Sequence, residues 1–107
     1  MHDESGVLLV DPDRDTLVSF EEALGVRNTA SVEVFTDFLA ARKRLLENAP
    51  RLLVTNLRLG EYNGLHLVHL AASLGLQTQC VVYSDHQDAL LIREARSTGA
   101  VYETKNL

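Results

Sequence analysis

The chain has 107 residues, a formal net charge of -5 and a pI near 5.2, enough for one hydrophobic core and too little for two, so residues 1–107 are expected to form a single domain. Its 46% apolar and 23% charged residues match a globular protein rather than a disordered or fibrous one. The acidic balance argues against direct nucleic-acid binding, which needs clustered Lys and Arg to displace counterions.

The opening "MHDESG" lacks a cationic region followed by an apolar stretch, and no later segment reaches the length of a membrane span. No membrane contact and a cytoplasmic location are the expectation. Val7 to Asp11, "VLLVD", is continuously apolar up to its last residue, as a strand buried on both faces should be. A helix is expected next, capped by Asp13 or Asp15, with Leu17, Phe20 and Leu24 on one face and a stop at Gly25. Ser31 to Phe35 alternates through Val32, Glu33 and Val34, which predicts an edge strand. Thr36 is the expected cap of the second helix, with Phe38, Leu39, Leu45 and Leu46 facing inward and Pro50 beyond its end. Its run Arg42-Lys43-Arg44 is expected to be a solvated helix face.

Leu52 to Asn56 is a third apolar strand, and the text after it, "LRLGEYNG", is expected to be a loop punctuated by Gly60 and Gly64. The third helix is expected from about Leu65 to Leu74, stopping at Gly75, with Leu65, Val68 and Ala72 inward; His66 and His69 then fall on or beside the solvated face. Cys80 to Ser84 is the fourth strand. Its cysteine is the only one in the chain, so no intramolecular disulfide can form and Cys80 is expected to be a small buried hydrophobe. A fourth helix is expected from near Asp85, with Ala89, Ile92 and Ala95 on one stripe and an end at Gly99. Ala100 to Thr104 is the fifth strand.

Alternating strands and helices imply an α/β fold with a doubly wound, five-stranded parallel sheet. Order 2-1-3-4-5 puts the alternating strand at an edge and the ligand site beyond the carboxyl ends of the central strands. No helix follows the fifth strand in this sequence. The apolar surface on the fourth and fifth strands then needs cover, and a homodimer through that surface is the expectation, or a longer native chain.

In that topology Asp11, Asn56, Ser84 and Lys105 arrive at a common edge. In these residues, and in "VLLVDPD", "VTNLRLGEYNGLHLV", "VVYSD" and "GAVYETK", the chain resembles a response-regulator receiver domain, the CheY-like phospho-acceptor module of two-component signalling. The resemblance covers essentially all 107 residues. In that family an aspartate ending the third strand accepts the phosphoryl group, and two acidic residues after the first strand hold Mg²⁺. A hydroxyl on the fourth strand and a lysine on the fifth bind the phosphoryl oxygens. The resemblance puts Ser84 and Lys105 in the last two roles and Tyr102 at the aromatic that reports the state of the site.

Two positions depart from the pattern. Asn56 stands at the acceptor position, where an amide is too weakly nucleophilic to form an acyl phosphate. Pro12 stands at the second acidic position, which leaves Asp11 as the one clear carboxylate for a cation that needs several anionic oxygens. Asp13 is expected to cap the first helix instead. Gly60 also replaces a proline common in that loop.

The chain is therefore expected to be a pseudo-receiver, not an enzyme, with no catalytic residue, no cofactor and weak or absent Mg²⁺ binding. It would act by contact with a signalling protein or with an output domain in a longer chain. With its main anionic partner gone, Lys105 is expected to contact Asp11, with Asn56 bridging. A working receiver remains an alternative if another acceptor, such as Ser84 or Thr55, is used. "DPD", Asp11 to Asp13, also resembles the aspartate pair of haloacid-dehalogenase phosphatases, but only Asp85 and Asp88 follow Ser84 as acidic partners. A flavin carrier would need a Ser/Thr/Gly phosphate loop where "DPDRDT" stands.

Overall fold

The runs expected to be central strands pair directly with one another in a parallel sheet. The computed structural model describes residues 2–27, 31–85 and 87–104, with backbone only for 2–5 and 24–27. In chain order the elements are β1 (His2–Val10), α1 (Arg14–Arg27), β2 (Ser31–Phe35), α2 (Phe38–Glu47), β3 (Ala49–Asn56), β4 (Arg58–Leu59), β5 (Tyr62–Asn63), α3 (Leu65–Ser73), β6 (Gln79–Ser84), α4 (Ala89–Ser97) and β7 (Val101–Thr104). Five strands form the main sheet in the order β2-β1-β3-β6-β7, all parallel. This is the expected 2-1-3-4-5 order, with the alternating strand β2 at one edge.

Leu8, Val10, Leu53 and Val82 are fully buried at the sheet centre and packed under Phe38, Ala41 and Leu45 of α2, Leu65, Val68 and Ala71 of α3, and Ala95 of α4. Each fully buried Leu or Val contributes about 1.5–3 kcal/mol relative to exposure. Leu9 alternates to the opposite face and is buried, as is Leu17 on α1.

Several local expectations are corrected. Residues 58–63 are not a plain loop: Arg58–Leu59 and Tyr62–Asn63 pair antiparallel as a small hairpin, with Gly60 at φ +65° in its turn. Helix α1 runs through Gly25 to Arg27, because one glycine costs a helix only about 1 kcal/mol and does not by itself end it. The cap of α2 is Asp37 rather than Thr36: its extended backbone leaves Oδ2 to accept the Ala40 N–H at 2.9 Å. Likewise α4 begins after Asp88, not near Asp85, and the Asp88 carboxylate accepts from Leu90 N and Leu91 N.

Inward faces shift accordingly. Leu39 and Leu46, expected inside, are 54% and 43% exposed, and Ala41 takes the inward position on α2. On α3 the inward residue is Ala71 rather than Ala72, and on α4 Ala89 is exposed. The aromatic ring of Phe38 is buried by stacking on Tyr62 of the hairpin at 4.4 Å. Among the described residues no helix is long and apolar enough to cross a membrane.

Candidate functional site

Parallel pairing delivers the carboxyl ends of the strands to one edge of the sheet. Asp11 follows β1 directly, Asn56 closes β3 and Ser84 closes β6, and these three strands are neighbours. Asp11 is 1% exposed and Ser84 3%. Tyr102 is buried in β7, next to β6, in register with Val82. Lys105, and with it the expected Lys105–Asp11 contact, lies outside the described residues.

A buried carboxylate needs donors or positive charge around it. Among the described residues Asp11 finds three donors. Its Oδ1 accepts the Asp13 N–H at 2.8 Å, and its Oδ2 accepts from Asn56 Nδ2 at 3.2 Å and from the Tyr83 hydroxyl. Asn56 uses both ends of its amide, since its Oδ1 accepts the Arg58 N–H at 2.9 Å. This explains the residue type. A carboxylate at position 56 could accept from Arg58 but could not donate to Asp11, and two carboxylates so close would repel.

Tyr83 is the member of this group that the sequence did not single out. Strand register sets it directly beside Asn56, and its ring lies against Phe20 of α1, with centroids 5.5 Å apart. Burial first, then the hydrogen bond to Asp11 and its charge, push the phenol pKa upward, so the hydroxyl stays a donor. The available signal was a tyrosine in a buried strand, whose polar tip requires a partner; nothing local says which one.

The loop after β3 is held tightly. Leu57 N–H donates to Tyr83 O at 2.8 Å and Gly64 N–H to Leu57 O at 2.7 Å. Gly64 passes so close to β3 that a Cβ there would lie 2.3 Å from the Asn56 carbonyl oxygen and 2.9 Å from Thr55 Oγ1. Only glycine lets the chain turn into α3 at this distance.

Asp13, two residues beyond Asp11, is engaged at the helix start. It caps α1, accepting from the Asp15 N–H at 3.1 Å and Thr16 Oγ1 at 2.9 Å, and Pro12 carries no side-chain oxygen. His69 pairs with Glu94 at 3.0 Å while His66 meets the edge of Phe38. Among the described residues no cluster of three or more His, Cys, Asp or Glu could hold a metal ion. The groups that reach Asp11 are a backbone N–H, an amide and a phenol, all donors, whereas Mg²⁺ takes oxygen ligands in near-octahedral array.

The family model for the response regulator receiver domain matches residues 7–103. The chain belongs to that family. Among solved structures, the receiver domain is similar to the signal receiver domain of a putative LuxO repressor protein from Vibrio parahaemolyticus. Their TM-score is 0.88 at 15% identity, covering 97% of this chain and 80% of that one. A response regulator protein from Burkholderia pseudomallei, solved with a phosphorylated aspartic acid and a calcium ion, gives 0.85 at 19% identity, covering 97% and 61%. The beryllofluoride-activated NtrC4 receiver domain dimer gives 0.85 at 16%, covering 96% and 85%. Identities this low establish the shared fold. A search of curated proteins finds no match. As a receiver, the chain is a signalling module of the two-component type, a class that works through contacts with other signalling proteins or output domains.

Proposed function

We propose that this receiver is a pseudo-receiver, silent as a phosphoryl acceptor at Asn56, and that it signals by binding a protein partner: a signalling protein, or an output domain in a longer chain. The observation that carries this reading is the amide of Asn56, which donates to Asp11 and accepts from Arg58 N–H. An amide so engaged offers no anionic oxygen to attack phosphorus. Weak or absent Mg²⁺ binding belongs to the same reading, supported by the Asp13 cap and by Pro12. The alternative acceptor Thr55 is fully buried and donates its hydroxyl to Asn56 O at 2.9 Å, which counts against its use. The same Asp13 cap counts against a phosphatase built on Asp11 and Asp13.

The domain works in the cytoplasm, and its equilibrium between conformations is set by the partner's differential affinity for them. Self-association through the β6–β7 face is part of the proposal. Val101 there is 50% exposed, and the NtrC4 receiver is a dimer. Sedimentation showing only monomer at micromolar concentration would remove that part.

Intact mass after incubation with Mg²⁺ and acetyl phosphate tests the central claim. No added phosphoryl group is expected. An adduct on the parent protein would overturn the reading, and mapping it to Ser84, Thr55 or elsewhere would identify the acceptor.

A further inference from the structure

Asp11 is almost fully buried, and among the described residues the donors to its carboxylate are a backbone N–H, an amide and a phenol rather than a cationic side chain. Two of these follow from the strand end itself. Asp13 N–H belongs to the turn into α1, and Asn56 is the neighbour on β3. The third crosses from β6, and it shares Oδ2 with Asn56. A divalent cation approaching that oxygen would have to expel the phenol. Expulsion is opposed by the ring contact with Phe20 and by the register that sets Tyr83 beside Asn56.

We infer that the Tyr83 hydroxyl is an internal substitute for a divalent cation: it closes the Asp11 pocket to Mg²⁺, as a barrier separate from those made by Asn56 and Pro12. The inference rests on the reading of this site as silent and adds what keeps it so. A carboxylate restored at position 56 then recovers little cation affinity while the phenol remains, because Asp11 Oδ2 is still occupied.

The test uses Mn²⁺, which shares the oxygen preference of Mg²⁺ and whose free ion is counted by electron paramagnetic resonance. Asn56→Asp is compared with Asn56→Asp/Tyr83→Phe. The double variant is expected to bind Mn²⁺ about tenfold or more tightly than the single one, the scale of one hydrogen bond to a charged group. Equal affinities would overturn the inference while leaving the silent-site reading intact, since that reading is judged separately by the mass of the parent after acetyl phosphate. Should the double variant not fold, the parent decides by proton NMR. A slowly exchanging Tyr83 hydroxyl proton, unchanged by millimolar Mg²⁺, supports the inference. A hydroxyl in fast exchange with water, or displaced by Mg²⁺, overturns it.

Discussion

Tyr83 donates its phenolic hydrogen to the carboxylate of Asp11 across 72 positions of sequence, and in doing so ties β6 to the end of β1 over the intervening strand β3. Removing that hydroxyl leaves a buried charge short of a donor. Tyr83→Phe is expected to lower stability by about 1.5–3 kcal/mol, as for a hydrogen bond to a charged group, read from urea denaturation. The pH dependence has a defined sign. The folded-state phenol pKa lies above its unfolded value of about 10, so the unfolded chain releases this proton first. Stability from Tyr83 is fully present below about pH 10 and is lost as pH rises beyond it. The variant should show a shallower loss than the parent over that range.

Asn56→Asp replaces the donor to Asp11 with a second carboxylate at about the same 3.2 Å separation. Without a cation the variant is expected to be about 1–3 kcal/mol less stable than the parent at pH 7. Like-charge repulsion raises the acid range of the pair in the folded state, so the unfolded chain ionises first and the deficit grows as pH rises. It should close on acidification toward about pH 4, the ordinary carboxylate range. A deficit that does not change between neutral and acidic denaturation curves would refute this account.

Gly64→Ala introduces a Cβ 2.3 Å from a backbone oxygen of Asn56, an atom that cannot swing aside. The turn into α3 must move, and overpacking of this kind costs about 1–3 kcal/mol. Calorimetry should show a lowered melting temperature, and amide shifts should change at Thr55 and Asn56 ahead of distant residues.

Gly60 sits at φ +65° in the hairpin turn with open space around it. Proline, common at this place in receivers, locks φ near −65°. Gly60→Pro is therefore expected to destabilise more than Gly60→Ala, although a Cβ at this position meets nothing within 4 Å. Equal melting temperatures for the two variants would count against this reading of the turn.

Cys80 lies in β6 with its thiol buried, and burial pushes its pKa up to about 11. The thiolate is the reactive form. Iodoacetamide at pH 8 should label the native protein far more slowly than the urea-unfolded chain, and the two rates should converge only as the protein unfolds.

Much of the fold was legible because its signals are local. "VLLV" and "RLLV" are apolar without interruption, and Leu8, Val10 and Leu53 are the residues found fully buried at the sheet centre. "SVEVF" alternates, and β2 lies at the edge. Where two capping residues stood close together, sequence could not choose. Thr36 and Asp37 are both good caps, and only the backbone path, extended at residue 37 and helical from Phe38, decides. Leu39 and Leu46 looked as apolar as Phe38 and Leu45, but α2 is rolled on the sheet so that Ala41 faces inward instead.

Strand order and the residues brought to the sheet edge follow from period and spacing, which each segment carries within itself. Asp11, Asn56 and Ser84 could therefore be assigned to one edge from the chain alone. What those residues bond to was decided by tertiary structure. Register between β3 and β6 placed Tyr83 beside Asn56, and packing on Phe20 aimed its hydroxyl at Asp11. Periodicity encodes which face a side chain occupies, whereas a hydrogen-bond partner is chosen by the relative placement of strands far apart in sequence.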